Sequence, residues 1–302
     1  VAEAWVEPAE RLARYIRKDE MHQAFNFDFL LAGWDAGRMA VAVEESLEAA
    51  ASVGAPTTWV LSNHDTVRHP TRFGLSDPTS FPKGIAAEDE QPDAALGLAR
   101  ARAATLVSLA LPGSAYLYQG EELGLPEHTT VPADARQDPT FFRTDGVERG
   151  RDGCRVPLPW KSDEPGFGFA EAYTAEGSTA AGAPAGPWLP QPDSFGGLAA
   201  DRQEGVAGST LELYRSALSL RRSHGLGSGT FCWADVHDPE LGVLAFENRD
   251  VLVVANMGTA ATPVPDGYRV VLSSAAETGS GAGADADSAV IAPNSAAYLL
   301  AG

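Results

Sequence analysis

The chain has 302 residues, 44% of them hydrophobic, which is enough for one large or two ordinary domains with a substantial core. Its formal charge of -19, from 22 basic and 41 acidic residues, would repel nucleic acid backbones and anionic lipid headgroups, so neither is an expected partner. Cys154 and Cys232 are too few for a disulfide framework, and without an apolar run of membrane-spanning length we expect a cytoplasmic protein.

The N-terminal part alternates between strand-like and helical patterns. Strands are predicted at 1–6, 22–32, 59–63 and 114–125, and helices at 8–18, 35–54, 93–113 and 209–225. Within the second strand, Phe25, Phe27 and Phe29 alternate with Asn26 and Asp28, as in a strand with one apolar and one polar face. Four successive βα units of this kind predict an α/β fold with a parallel sheet.

A long loop at about 126–208 separates the fourth strand from its helix. It is rich in Gly, Pro and Asp but also carries Phe, Trp and Arg, so we expect a structured lid or rim rather than disorder, except for a flexible stretch at 177–186. After His224 the pattern changes to short β-rich runs at 230–236, 242–249, 251–258, 268–274 and 289–302, with a mobile turn predicted at 280–288. The sequence therefore predicts two domains, at 1–224 and 225–302.

Polar side chains fall in or at the ends of the predicted strands, where the loops of a parallel βα fold converge. They are Glu3, Asn26, Asp28, His64, Asp65, Gln119, Glu121 and Glu122. Any single acid in such a position is more often a solvated loop residue or a helix cap. A glutamate inside an apolar strand is costly, however, unless it is paired or functional, and the joint pattern favours a site.

Three chemistries fit acids and histidines of this kind. One is a carboxylate pair acting on a glycosidic bond. A second is a His–Asp metal site, which the spacing disfavours because the chain has only six histidines and the His64–Asp65 pair precedes Pro70. A third is a Ser/His/Asp hydrolase, which the absence of a GxSxG motif disfavours.

Several segments are similar to signatures of one family, the α-amylase family of glycoside hydrolases. "LSNHDTVRH" resembles its strand-seven signature, "VAEAWV" its strand-five signature and "YLYQGEELGL" its strand-eight segment. "FFRTDG" and "RDGCRVPLPW" resemble the following loop in the α-glucosidase and oligo-1,6-glucosidase branch. The resemblance implies that residues 1–224 are the second half, strands five to eight, of a (β/α)8 TIM barrel, followed by a C-terminal antiparallel β-sandwich domain.

The resemblance also implies roles for individual residues. Glu3 would be the general acid/base, protonating the glycosidic oxygen and then deprotonating water. Asp65 would bind sugar hydroxyls and stabilise the oxocarbenium-like transition state. His64 would hydrogen-bond the same sugar, and Arg68 would contact that subsite or its acids, a structural ion pair being the alternative.

Other residues receive less specific assignments. Arg72, Arg151 and Arg155 are expected near the rim in structural roles, and the polar residues at 119, 121 and 122 are expected to brace the barrel mouth. Four tryptophans are candidates for stacking on sugar faces, although a Trp at any one position is more often core. These are Trp5, Trp59, Trp160 and Trp188.

The family nucleophile is an aspartate at the end of strand four, upstream of the general acid. Because the sequence begins at Val1, without an initiator Met and two residues before Glu3, we expect that the nucleophile and about 250 preceding residues lie outside this chain. The resemblance implies a retaining α-glucosidase for gluco-oligosaccharides or disaccharides, inactive as this chain alone. It implies no cofactor in this chain, any structural metal ion being in the absent part.

Two alternatives remain open at the sequence level. Sucrose isomerases, trehalose synthases and other transglycosylases share the same signatures and differ in how well water is excluded. Non-catalytic carbohydrate-binding relatives have lost their carboxylates, so Glu3 and Asp65 argue against that reading. The open edges of a half barrel further predict self-association.

Overall fold

A computed structural model describes residues 1–169, 187–275 and 290–302, so the stretches predicted to be flexible, 177–186 and 280–288, lie outside the described residues. The described α-helices are α1 (Ala9–Ala13), α2 (Phe27–Leu31), α3 (Ala36–Ser52), α4 (His69–Arg72), α5 (Ala94–Ala110), α6 (Pro139–Arg143), α7 (Ala200–Gln203) and α8 (Thr210–Ser223). The described strands are β1 (Thr58–Val60), β2 (Ser114–Tyr116), β3 (Phe231–Trp233), β4 (Val243–Asn248), β5 (Val251–Asn256), β6 (Thr262–Pro263), β7 (Tyr268–Ser273), β8 (Val290–Ile291) and β9 (Ser295–Ala301). Short 3-10 helices, among them Glu121–Leu123 and Asp152–Cys154, lie in the connections.

The N-terminal part is organised by short parallel contacts. β1 pairs in parallel with β2, with Thr58 opposite Ser114, and an isolated parallel bridge joins Ala2 to Ala24. The Thr58 hydroxyl donates a hydrogen bond to the Ala24 carbonyl, which connects the bridge to β1. Four chain segments thus lie side by side in sequence order, as the βα alternation predicts.

The first two predicted strands are much shorter than expected. The pairing at 1–6 is limited to the bridge at Ala2, and the prediction of a strand at 22–32 is wrong beyond Ala24, because α2 begins at Phe27. The Asn26 side chain accepts a hydrogen bond from the Phe29 backbone N–H at 3.0 Å and so caps this helix. In a helix Phe27 and Phe29 do not share a face: Phe29 enters the main core, and Phe27 packs on Leu30.

The three long helices occur where the sequence predicts them. α3, α5 and α8 each begin after a capping side chain, Asp35, Asp93 and Ser209, that accepts a backbone N–H three residues on. α5 is buried over most of its length because it packs against α8 on one side and against β5 and β9 on another. None of the described helices has the length and hydropathy needed to cross a membrane.

The C-terminal part contains an antiparallel five-stranded sheet in the order β3-β4-β5-β9-β7. The short strands β6 and β8 pair separately, and the β-rich runs predicted from the sequence contain these strands. Leu244 and Phe246 of β4 face the main core with α5, whereas Val243 and Ala245 belong to a second apolar cluster. The Tyr298 hydroxyl donates to the Leu106 carbonyl of α5 at 2.7 Å, so the sheet is attached to the helix that lies behind β1 and β2.

Arg221 offers a direct test of how α8 is attached to α5. Its Nη1 atom donates to the carbonyl oxygens of Leu109 at 2.6 Å and Leu111 at 2.7 Å, where α5 ends. Replacing Arg221 by Ala removes these charged donors, and we expect the free energy of unfolding to fall by about 2 kcal/mol in urea denaturation. Arg222→Ala, at an exposed position of the same helix, is the control and should change it by no more than about 0.5 kcal/mol.

Self-association is a second prediction from the fold. Within the described residues β2 pairs only with β1, it is half-buried where β1 is fully buried, and Leu117 directly after it is 41% exposed. An unpaired strand edge beside apolar surface favours pairing with another chain. Sedimentation velocity over a concentration series should therefore show dimers or larger species. A monomer with a concentration-independent melting temperature would contradict this expectation.

Candidate active site

Glu3, His64 and Asp65 converge at one edge of the parallel segments. The ligand atoms of their side chains all lie within 4.8 Å of one another. Glu3 directly follows the Ala2 bridge, and the other two follow β1, so parallel pairing brings them to the same side. Two carboxyl groups and one imidazole are thus placed together at a single edge.

The exposure of these three side chains is that of an open site. Glu3 and His64 are exposed and Asp65 is half-buried. The expectation that Glu3 is enclosed in an apolar strand is therefore wrong, because the pairing around it is a single bridge rather than a sheet. All three are accessible to a ligand.

A tight turn after β1 directs Asp65 outward. The Asn63 side-chain oxygen accepts a hydrogen bond from the Asp65 backbone N–H at 2.9 Å, an Asx turn that ends the strand. Ser62, just before this turn, and His69, after it, are linked by two hydrogen bonds. The Ser62 hydroxyl lies 2.8 Å from His69 Nδ1 and accepts a hydrogen bond from the His69 backbone N–H at 2.9 Å. The loop that carries His64 and Asp65 is thus fixed at both ends.

Asp65 is held by two arginines from the long loop. Arg151 Nη1 lies 2.8 Å and Arg155 Nη2 lies 2.7 Å from the same atom, Asp65 Oδ1, while His64 Nε2 lies 3.5 Å from it. Both arginines flank the 3-10 helix Asp152–Cys154, which places them on the same side. Sequence reasoning gave them general structural roles; the spacing of two arginines four residues apart in "RDGCR" was the available signal.

Arg151 also connects Asp65 to a buried acid. Its Nε lies 2.6 Å from Oδ2 of Asp138, whose side chain is fully buried. Burial alone would raise the pKa of Asp138, but hydrogen bonds from the Arg151 guanidinium and from the backbone of Thr140 and Arg151 outweigh it and hold that pKa well below its usual range. Asp138 stays ionised and fixes the guanidinium that reaches Asp65.

Arg68 does not line the open site. Its side chain is buried, Nη1 donates to the Gln119 carbonyl at 3.0 Å, and Nη2 donates to the Cys154 carbonyl at 2.9 Å. The guanidinium also lies over the Tyr118 ring, 4.7 Å from its centre. Arg68 thus contacts the Gln119 and Cys154 backbones through its two terminal nitrogens, and its contact with a sugar subsite or with the acids of that subsite stays a prediction.

Two buried glutamates lie behind the site. Burial raises the pKa of Glu121 to about 8, and its Oε2 lies 3.4 Å from the Tyr214 hydroxyl. Burial likewise raises the pKa of Glu127 to about 7. Glu122 instead accepts a hydrogen bond from the Gly120 backbone N–H at 2.8 Å. Sequence reasoning placed Glu121 and Glu122 at the mouth but missed Glu127, which lies in a loop with no motif around it.

A pocket of about 430 Å³ lies beside Asp65. Trp5 and Phe81 give it an aromatic side, and Trp5 is stacked on Phe27 with ring centres 3.7 Å apart. The polar lining includes Lys83, Thr140, Glu148 and Arg151. An aromatic face beside convergent polar groups is a usual form of a small-molecule site.

The other tryptophans named from the sequence differ in exposure. Trp59 is fully buried and donates to the Pro112 carbonyl at 2.7 Å, so of its two predicted roles, sugar stacking or core, the core role is the one observed. Trp160 and Trp188 are about half exposed. Trp188 Nε1 donates to the Arg155 carbonyl at 3.2 Å, which places it next to the arginine pair.

The converging side chains also have the composition of a metal site. Glu3, His64 and Asp65 each offer one ligand atom within a 4.8 Å group. However, Arg151 and Arg155 already donate to Asp65 Oδ1, and two guanidinium groups at that distance oppose a bound cation. The two guanidinium groups therefore disfavour a metal ion bound by these three residues.

Comparison with known proteins identifies relatives of this chain. The "Alpha amylase, catalytic domain" family matches residues 1–228. A "Probable alpha-glucosidase" of Rhizobium meliloti (strain 1021) is 30% identical over 247 residues, covering 80% of this chain and 38% of that protein. "Maltase A1" of Drosophila melanogaster is 26% identical, covering 83% of this chain and 35% of that protein. The chain thus spans little more than a third of these curated relatives.

Solved structures of the same kind match nearly the whole chain. The α-glucosyl transfer enzyme XgtA superposes with a TM-score of 0.72 at 26% identity, over 99% of this chain and 50% of that one. The trehalulose synthase MutB from Pseudomonas mesoacidophila MX-45 superposes with a TM-score of 0.69 at 21% identity, over 98% and 54%. With the family match over most of its length, the chain belongs to the α-amylase catalytic-domain family.

Proposed function

We propose that this chain supplies the general acid/base and the transition-state-binding carboxylate of a retaining α-glucosidase for short gluco-oligosaccharides or disaccharides. The convergence of Glu3, His64 and Asp65 within 4.8 Å beside an aromatic-lined pocket carries the proposal. Glu3 protonates the glycosidic oxygen as the leaving sugar departs and then takes a proton from the incoming water. His64 donates a hydrogen bond to the sugar bound beside it.

Asp65 is assigned to transition-state binding rather than to nucleophilic attack. Two guanidinium groups on Oδ1 stabilise its negative charge and reduce its reactivity toward an anomeric carbon. An ionised carboxylate fixed in this way still accepts hydrogen bonds from sugar hydroxyls on Oδ2 and stabilises positive charge that develops on the sugar ring. The nucleophile is then a different carboxylate.

We infer that the nucleophile lies outside this chain. Among residues 1–169, 187–275 and 290–302, the group of three or more acids, histidines or cysteines close enough to share one ion consists of Glu3, His64 and Asp65, which leaves no third carboxylate in that group. The four parallel segments correspond, in this proposal, to strands five to eight of a (β/α)8 barrel. The solved relatives are about twice as long as the part matched here, 50% and 54% of them being covered, which leaves room for the other half barrel.

Glucosyl transfer is the second candidate function. XgtA, at 26% identity, is described as an α-glucosyl transfer enzyme, and the pocket beside Asp65 has room for an acceptor sugar. Transfer replaces hydrolysis when an acceptor hydroxyl excludes water from the intermediate. In the nucleophile-bearing protein, product analysis on maltose and sucrose separates the two: free glucose indicates hydrolysis, and new disaccharides or trisaccharides indicate transfer or isomerisation.

The chain alone should not turn over an aryl α-glucoside, because the retaining mechanism needs a nucleophile that it does not supply. The measurement is release of 4-nitrophenol from its α-glucoside, combined with mass spectrometry after incubation with 5-fluoro-α-glucosyl fluoride. We expect neither turnover nor covalent label. A glucosyl adduct on Asp65 would contradict its assigned role, and turnover that survives Glu3→Gln would contradict the assignment of the acid.

Sugar binding tests the role of Asp65 without turnover. Asp65→Asn removes a charged acceptor of sugar hydroxyls, so the affinity for maltose, measured by titration calorimetry or ligand-observed NMR, should fall about tenfold to a hundredfold. Asp134→Asn, at an exposed position of the long loop, is the matched control and should leave the affinity unchanged. Equal maltose affinity for wild type and Asp65→Asn would exclude Asp65 from the sugar subsite.

A further inference from the structure

Glu127 is a buried acid that the proposed mechanism does not use. Its side chain is 6% exposed, and Oε2 accepts a hydrogen bond from the Arg68 backbone N–H at 3.0 Å. The Glu127 backbone N–H donates to the Thr71 hydroxyl at 2.8 Å. Both contacts attach Glu127 to the first turn of α4, the end of the loop that carries Asp65.

The other carboxyl oxygen of Glu127, Oε1, faces residues 151–155, the arginine-bearing segment. A Cβ atom added to Gly153 would lie 2.4 Å from Glu127 Oε1, so the Gly153 backbone rests directly on the carboxyl group. The His128 backbone N–H donates to the Gly153 carbonyl at 3.1 Å. Gly153 lies midway between Arg151 and Arg155, the two residues that hold Asp65.

The two loops also touch through Cys154. Its carbonyl accepts from Arg68 Nη2 at 2.9 Å, and its thiol lies 3.4 Å from the His64 carbonyl oxygen and 3.1 Å from that of Arg151. These contacts show that the Asp65 loop and the arginine-bearing segment form one packed unit. Glu127 lies at its centre, with one oxygen on each side.

We infer that Glu127 is a positioning residue that holds the Asp65 loop in register with the segment 151–155. Without its carboxyl group the two loops lose a common support, and the guanidinium groups of Arg151 and Arg155 no longer meet Asp65 Oδ1 at hydrogen-bonding distance. The catalytic meaning rests on the proposed function. Whether one carboxyl group orders both loops can be measured without an activity assay.

The electrostatic surroundings of Glu127 distinguish it from an ordinary structural acid. Burial raises its pKa from 4.5 to about 7, although the Arg68 backbone hydrogen bond and nearby arginines act in the opposite direction. Because the folded protein then binds the proton more tightly than the unfolded chain, this group's stabilising contribution is complete below about 4.5 and is lost as pH rises through about 7. The charged and titratable groups that face it are Arg68, Arg72, Arg136, Tyr118 and Cys154.

Two substitutions separate position from charge. Glu127→Asp keeps the charge but withdraws the carboxyl group by one methylene, so it should not support both loops. Glu127→Gln removes the charge but keeps an oxygen that accepts the Arg68 N–H. We expect backbone hydrogen exchange of peptides covering 60–72 and 150–156, corrected for the intrinsic rate, to rise about tenfold in Glu127→Asp and to stay within about twofold of wild type in Glu127→Gln.

The matched control is Glu121→Gln, which replaces another buried glutamate with a raised pKa but leaves the contacts of Glu127 with Arg68 and Gly153 in place. It should leave exchange in both peptides unchanged. Unchanged exchange of both peptides in Glu127→Asp, or an equal rise over all peptides of the chain, would overturn the inference. So would a rise in Glu127→Gln with none in Glu127→Asp, since charge alone would then be responsible.

A pH series gives a second readout. The free energy of unfolding of the wild-type chain should fall relative to Glu127→Gln as pH rises from about 5 to 8, because only the carboxyl group titrates. Parallel curves for the two proteins would contradict the titration of Glu127 in this environment. Neither readout involves turnover, so a failure of the proposed glucosidase activity leaves the result on Glu127 intact, and the reverse also holds.

Discussion

Two guanidinium groups on a single carboxylate oxygen organise the candidate site of this protein. Arg151 and Arg155 reach Asp65 from a loop that is 86 and 90 residues further along the chain. The attraction draws that loop over the end of β1, and the fully buried Asp138 holds Arg151 from behind. Because charge-assisted hydrogen bonds are strong only when their geometry is fixed, every contact that shapes the loop also shapes the site. The long loop therefore contributes two side chains to the candidate site.

Two further arginines are buried beneath this pair, and their guanidinium groups donate hydrogen bonds to backbone carbonyls rather than to carboxylates. The buried Arg68 donates to carbonyls on the segment after β2 and on the arginine-bearing loop. The buried Arg72 donates to the carbonyls of Val67, Leu30 and Leu61. Burying a guanidinium is costly unless its donors are satisfied, so each of these arginines is compatible with only one arrangement of the loops around it. The buried arginines thereby help to specify how the loops around the candidate site are arranged.

Local sequence patterns were sufficient for elements that are stabilised locally. The helical periodicity and capping side chains of α3, α5 and α8 predict those helices, and the β-rich runs contain the C-terminal strands. The alternation at 22–32 failed because Asn26 caps a helix, and eleven residues are too few to separate a two-residue period from a helical one. The resemblance placed Glu3, His64 and Asp65 on the elements that bring them together. The sequence placed Arg151 and Arg155 near the rim but did not predict their contact with Asp65, and it missed Glu127, because partners many tens of residues away leave no local pattern.

The distribution of charge explains why an acidic chain keeps a cationic site edge. The formal charge is -19, yet several of its 22 basic residues surround one end of the parallel segments. They include Arg68, Arg72, Arg136, Arg151 and Arg155. Two of these guanidinium groups, those of Arg151 and Arg155, fix the orientation of the Asp65 side chain. Because both guanidinium groups bind Oδ1, the proposed function assigns the contacts with sugar hydroxyls to the other carboxylate oxygen, Oδ2.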